Sequence, residues 1–585
     1  MSAKTIDIRK LLAAAVLMLP LLSCFWYVAM FGTNMPYMDD WSFMSEVGHV
    51  VLKSKHHSLW QFLDHQHNEH KMGIPFLMLF FVGSATAWNW LAMMYANVVI
   101  HSLTNILLMF WAWAQMKTQR LPLLALLPIP LVMCTFRQWE NLLFAFQTCI
   151  YTVNLFFLIS VILLERSKAL DWKFYAGFVA AFFACYCNGN GLLALPLGCL
   201  ALTLQWAILP QERAVAKKKI LIWIALCVVV VVLYFSTYRH ESFYKFKLAY
   251  LSENFVGCIK FLIAPFGTIY ANDVANAVTW GAFFIATMLL TFFICIKRRI
   301  LDRFSITAWM IILFGVAFDL LVFWGRAGFA LDTSLAPSHP ESFLNALCSR
   351  YSTSNAFILA ALYVLAVYTY RRGWLSSVNA ACVGALICCC TYVSLTIGIS
   401  LGEIWHDLRL SEKAMLENQE LVSDNMLKRI FPEPSMMRKF TKQNEQIGLF
   451  HYSHEKFPSH LPVTKEPVAL VTHASGVMDK QGQWHVGKES DIVVRGWTFD
   501  PRAKRPAAAV WVFVDEKPLM RAAYGLSRQD LKSFGPRMRW GHTGFETVFA
   551  AKHIGLGRHD LSLKVISSDG QRCMDTGTQV IFVVE

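Results

Sequence analysis

The chain is short of charge. Asp, Glu, Lys and Arg make up only 16% of its 585 residues, against 56% hydrophobic ones, where a water-soluble protein carries about a quarter charged residues. That deficit excludes an ordinary soluble enzyme over the whole length. Acidic groups are the scarcer kind, 39 against 53 Lys and Arg, for a formal net charge of +14. The basic surplus does not point to nucleic acid, because much of it falls in short loops between apolar runs, where Lys and Arg set membrane topology. No repeat, low-complexity tract or "HExxH" zinc pair is present. Cysteine is not scarce, at 15, yet most of it, including the run Cys388, Cys389 and Cys390, lies in apolar segments and behaves as a small hydrophobe. Cys348 and Cys573 fall outside those segments, far apart in sequence, and no disulfide framework is expected.

What is abundant is apolar sequence in lengths of about 20 residues, the span of a membrane helix. The runs 11–31, 91–114, 121–134, 144–164, 173–187, 192–209, 219–235, 277–296, 304–324, 352–370 and 377–401 predict about eleven transmembrane helices. The first follows Lys4, Arg9 and Lys10 as a signal peptide would. It is long, holds Pro20 and lacks a small-residue cleavage site, so it is read as a retained anchor. The loops "KTQR" (117–120), "ERSKALDWK" (165–173), "QERAVAKKK" (211–219), "KRRILDR" (297–303) and "RR" (371–372) are basic and short. They fall on one side, with the N-terminus, if 74–87 and 255–270 do not fully cross. Those two are expected as partly embedded helices, and everything after about 402 then lies on the outer side.

Residues 402–464 form a polar, partly helical connector ended by "FPEPS". From 465 to 585 the pattern changes to short alternating runs such as "DIVVRGWTFD" and "AAVWVFVDEK", which predict a soluble all-β sandwich. Trp497 and Trp511 in it are either core residues or platforms for a sugar ring.

Charge at membrane depth is costly, and this chain places almost none there. Asp319 is the clearest case, expected to pair with Arg326 or to reach the interface. Polar groups gather instead in the predicted outer loops. The stretch Met38–Gly73 alone holds six of the 18 histidines. It opens with Asp39 and Asp40, then Trp41. A carboxylate there can serve as general base toward a hydroxyl, or as a helix cap. It ends in "HQHNEHK", with His67, Glu69, His70 and Lys71. If helical, that segment puts His67 and His70 on one face. It suits phosphate recognition, a metal or a solvated turn. Later loops add Arg326 in "WGRAGFA" and Arg350 in "LCSRYSTSN", next to Tyr351. Each is a fork suited to phosphate oxygens or an interface anchor.

The order "DDW…HNEHK…SRY", set after a first span and among further spans, resembles the GT-C superfamily of polytopic glycosyltransferases, whose donors are polyprenyl-phosphate-linked sugars. Within it, the pattern looks like that of a bacterial branch whose members often read "DEW…HNEHR" and "GRY". The topological likeness covers about 1–400, the motifs about 40 residues. The resemblance implies that Asp39 or Asp40 activates the acceptor and that Arg350 holds the lipid phosphate. His67, Glu69, His70 and Lys71 match the second half of the loop pattern. Lys71 stands where Arg is commoner, which weakens a bidentate phosphate contact. The C-terminal "VRGWTFDP" and "GHTGF" resemble β-sandwich modules attached to bacterial glycan enzymes.

The expectation is therefore a GT-C-like catalytic domain over 1–401, the connector over 402–464 and a periplasmic β-sandwich over 465–585. The activity would be transfer of a sugar, with inversion, from a polyprenyl-phosphate donor to a hydroxyl of a cell-envelope glycan or other acceptor. It would take place at the periplasmic face of a bacterial inner membrane, with the N-terminus cytoplasmic. Asp39 and Asp40 are the catalytic candidates. His67, His70, Lys71, Arg326 and Arg350 are the donor-phosphate candidates, with Trp41, Glu69 and Tyr351 in support. No metal ligand is assigned, and a divalent cation is left open. The lipid bilayer is a partner and nucleic acid is not. The rival readings are a flippase or transporter for a lipid-linked glycan and a non-catalytic anchor presenting a glycan-binding domain.

Overall fold

The structure is a computed structural model that describes residues 8–51, 62–239, 247–331, 347–370, 373–446, 448, 456–528, 530 and 540–585. His56, His57, "RR" (371–372) and parts of the loops 236–276 and 325–351 lie outside the described residues. The chain divides into two compact units, one of 1–32 with 56–402, the other of 33–55 with 403–585.

The first unit is helical. Nine helices among the described residues are long and apolar enough to cross a membrane: Ile8–Phe31, Trp90–Gln119, Ala145–Arg166, Gly189–Ile208, Arg213–Ser236, Val274–Lys297, Arg303–Gly328, Ser349–Thr369 and Trp374–Glu417. Their polar starts are satisfied locally. Asn89 accepts from the N–H groups of Leu91 and Ala92, and Asp273 from that of Asn276. Each supplies the acceptor that a first helical turn lacks.

Two of the eleven expected spans are not of spanning length. The run 121–134 breaks into a 3-10 turn, Leu123–Leu126, and a six-residue helix, Pro128–Met133. Pro122, Pro128 and Pro130 supply no N–H to a continuous ladder. The run 173–187 forms Trp172–Cys185, of 14 residues, about 21 Å at 1.5 Å per residue. The two stretches expected not to cross are helices of 13 residues each, Gly73–Ala85 and Phe255–Gly267.

Between Pro128–Met133 and Ala145, the chain turns inward rather than forming an exposed loop. Arg137 is 2% exposed and donates to the carbonyls of Thr268 and Ala271. Burial lowers its pKa to about 10. Gln138 accepts from Thr353 and Tyr151 and donates to the Met133 carbonyl. Asn141 donates to Thr353 and to the Arg350 carbonyl. These bonds fasten the short segment to the start of Ser352–Thr369.

The second unit is β-rich toward its C-terminus. Four antiparallel strands, Ala523–Leu526, Gly544–Ala550, Asp491–Thr498 and Ala469–Ala474, form one sheet in that order. The second sheet runs Val477–Met478, Trp484–Val486, Cys573–Val584, Gly557–Ile566, Ala509–Val514, Lys517–Arg521, and Val463–Lys465 pairs in parallel with Cys573–Val584. Alternation along Asp491–Thr498 turns Ile492 and Val494 inward. They share a core with Phe545, Phe549, Val510, Val512, Leu563 and Phe582, so the facing sides of both sheets are buried together. Asp515 and Glu516, with φ of 48° and 65°, make the tight turn between two strands, the geometry that follows strand twist. Trp511 is a core residue. It packs with Phe513, Ile566 and Cys573 on the sheet's other face, covered by Phe457 and Leu461.

The polar connector belongs to this unit. Ser423 donates to Asp491, and the Ala550 N–H to the Leu421 carbonyl.

Candidate functional site

The "HQHNEHK" segment is a hairpin, not a helix. Gln66–His67 pairs with His70–Lys71, placing His67 opposite His70. Asn68 takes the turn with φ of 49°, a left-handed conformation that Asn tolerates. His67 and His70 are neighbours, as a helix would have made them, but through cross-strand pairing. Gln66 and Arg239 exchange two hydrogen bonds, of 2.7 and 2.9 Å. Tyr238 donates to the Glu69 carbonyl at 3.2 Å. His67 meets Phe146 edge-on at 4.9 Å. The "NGNG" turn supplies room for His70: a Cβ on Gly189 would lie 2.5 Å from its Nδ1.

Lys71 is wholly buried. Its ammonium donates to the Asp64 carboxylate and the Thr237 hydroxyl and lies 5.4 Å from the Tyr234 ring centre. That charge is neutralised within the hairpin's own support. A phosphate contact from Lys71 would have to give up the Asp64 pair.

Glu69 is the hinge of the site. Its Oε1 accepts from Arg326 Nη2 at 2.8 Å and lies 3.7 Å from His70 Nε2. Its Oε2 is buried and meets no hydrogen-bond donor among the described residues. Arg326 is thus engaged by Glu69 rather than Asp319. Asp319 is 1% exposed, and among the described residues the side chain set to donate to its carboxylate is that of Asn355.

Arg350 sits in the 3-10 turn Ser349–Tyr351 that leads into Ser352–Thr369. Its Nε is 3.7 Å from Glu140 Oε1. Ser349 accepts from the Glu140 N–H at 3.0 Å and donates to its carboxylate at 3.3 Å. Cys348 lies in the field of both Arg350 and Arg326. Burial pushes its thiol pKa up, and both guanidinium groups oppose that. Tyr351 is buried edge-on to Phe318, ring centres 5.9 Å apart. The structure therefore brings Glu69, His70 and Arg326 together, and sets Arg350 beside Glu140. Glu140, Arg137, Gln138 and Asn141 were not singled out from sequence. The signal was the polar run "RQWEN" between apolar segments.

Asp39, Asp40 and Trp41 belong to the second unit. The two acids differ in environment. Asp40 is 1% exposed, and its Oδ2 accepts the Tyr37 N–H at 3.0 Å, tying the turn that leads into Asp40–Val51. Asp39 is half-buried, and its carbonyl accepts from Ser42 and Phe43. Met38, just before, has φ of 41°, a left-handed corner that costs a non-glycine residue. Trp41 is fully buried, near Phe431. Tyr37 lies 3.8 Å from the Arg409 guanidinium, which also faces Trp405 at 4.3 Å and pairs with Glu412 at 2.5 Å.

Among the described residues, no group of three or more His, Cys, Asp or Glu side chains is set to hold a metal ion. No family model, curated protein or solved structure matches this chain.

Proposed function

We propose that the chain is a membrane glycosyltransferase of GT-C type that uses a polyprenyl-phosphate sugar as donor. The observation that carries the reading is that Glu69 engages Arg326 and His70 and Glu140 engages Arg350, the two arginines lying near the ends of apolar helices. Two guanidinium forks and an imidazole suit a phosphate whose lipid tail stays in the bilayer. In this reading Asp39, the first acid after the opening span, is the general base. The acceptor O–H gives its proton to the Asp39 carboxylate. The oxygen bonds to the anomeric carbon with inversion, and the bond from that carbon to the phosphate oxygen breaks. Phosphate leaves with the electron pair and is stabilised by Arg326, Arg350 and His70. Lys71 and Tyr351 support the scaffold. The two sheets are read as a β-sandwich on the periplasmic side. The stacked Trp497 and Phe499, ring centres 6.0 Å apart, are its candidate glycan platform.

Asp319 favours a second reading, since a buried ionisable group in a spanning helix marks transport pathways. Reconstitution separates the two. Proteoliposomes holding the full chain, a polyprenyl-phosphate sugar and a glycan acceptor should release free polyprenyl phosphate as the acceptor gains mass. Movement of intact donor across the bilayer without release would replace the transferase with a flippase. Neither event would leave a glycan-presenting anchor.

A further inference from the structure

A cavity of about 480 Å³ lies in the helical unit where the basic loops emerge. Its wall includes Gln119, Leu121, Tyr363, Tyr370, Ala380 and Gly384. The volume falls within the roughly 300–1,000 Å³ of ligand pockets. Three features indicate what it takes. The lining is largely apolar, and Gly384 stands inside the helix Trp374–Val393, with nothing within 4 Å of where its Cβ would be. Glycine is a poor helix residue, and no neighbour here requires it, so its effect is to leave the space open. Second, three tyrosines, Tyr363, Tyr368 and Tyr370, line it, and Tyr370 is 53% accessible, as aromatic side chains at a membrane–water interface are. Third, the rim is basic. Arg120 stands exposed between the lining residues Gln119 and Leu121, with Lys117 one helical turn before it. Arg298 belongs to the neighbouring basic loop 297–303, whose Asp302 accepts from the lining residue Tyr368. Asp302, the acid that meets the lining, is already bonded by Tyr368 and by the Ser305 N–H.

We propose that this cavity binds an anionic phospholipid, one acyl chain lying against Ala380 and Gly384 and the head-group phosphate at Arg120, where the basic loops meet the cavity. Basic pockets between membrane helices take such head groups. The site is separate from Glu69, Arg326 and Arg350, and it holds whether or not the chain transfers sugars.

The test is native mass spectrometry of the full chain in detergent after delipidation, with phosphatidylglycerol or phosphatidylethanolamine added back. The wild type should retain phosphatidylglycerol through mild activation and prefer it to phosphatidylethanolamine. Gly384→Leu, which fills the cavity, should lose retention. Ala380→Leu is the second filling variant if the first does not fold, folding being checked by thermal melting. Arg120→Gln should cut the preference about fivefold, the effect of one basic residue at a membrane surface. Equal retention of both lipids by the wild type, unchanged retention in a folded filling variant, or an unchanged preference in Arg120→Gln would overturn the proposal.

Discussion

Glu69, at the tip of the first-loop hairpin, accepts a 2.8 Å hydrogen bond from Arg326, 257 residues further along. One carboxylate oxygen fixes the guanidinium, while the other is buried and meets no donor among the described residues. The pair therefore orients Arg326 rather than simply neutralising it.

That arrangement makes the two residues a unit. Arg326→Gln should raise the KM for the lipid donor, and Glu69→Gln should do the same by releasing Arg326. Residues joined in this way are non-additive, so the double variant should be no worse than the poorer single one. Because both side chains are partly exposed, the effect on stability should be small, about 0.5–1 kcal/mol. Steady-state transfer in membranes, at matched protein levels, checks this. Additive losses would count against the orienting role.

The acidic pair should separate cleanly. Asp39→Asn should lower transfer by about 10²–10⁴-fold, the usual contribution of a general base. Asp40→Asn keeps an acceptor for the Tyr37 N–H and should leave the rate close to wild type. Asp40→Ala should cost about 1 kcal/mol of stability, as a lost hydrogen bond does. If both Asn variants transferred normally, the first-loop acids would not be catalytic.

Lys71 should behave as structure. Lys71→Met leaves Asp64 as an uncompensated carboxylate and should destabilise the chain by about 3–5 kcal/mol. Replacing both at once, Lys71→Met with Asp64→Leu, should recover much of that loss and restore donor KM. Melting curves and transfer kinetics on the three variants decide it. A well-folded Lys71→Met with a raised donor KM would return Lys71 to the phosphate site.

The β-rich region should depend on residues before 465. Phe457 and Leu461 cover Trp511 and Phe513, and Val463–Lys465 pairs with Cys573–Val584. A fragment of 456–585 should therefore be more stable than one of 465–585. Exposing those apolar contacts costs roughly 2 kcal/mol, or about 8 °C in Tm for a domain near this size. Circular dichroism melts measure the difference, and equal Tm values would show that the cover contributes nothing.

How much of this was legible beforehand follows from the range of each interaction. Apolar runs of about 20 residues report a helical, membrane-type unit because length and hydropathy are local. Alternation reports strands for the same reason. The break in 121–134 was also local, in Pro122, Pro128 and Pro130, but hydropathy outweighed it in the reading. The hairpin at Gln66–Lys71 was hidden because its helical and cross-strand spacings both bring His67 and His70 together.

The amino-acid sequence by itself determined the class of the chain, the loops that carry its polar groups and the change to β structure near residue 465. Tertiary structure alone decided what those polar groups do. It joined Glu69 to Arg326, buried Lys71 against Asp64, bound Asp40 to the Tyr37 N–H while leaving Asp39 half-buried, and brought the unsuspected Glu140 beside Arg350. Periodicity describes a residue's neighbours along the chain. The role of a charged group depends on which distant side chain meets it once the helices and strands have packed, because Coulomb and hydrogen-bond energies fall off within a few ångströms and do not depend on sequence separation.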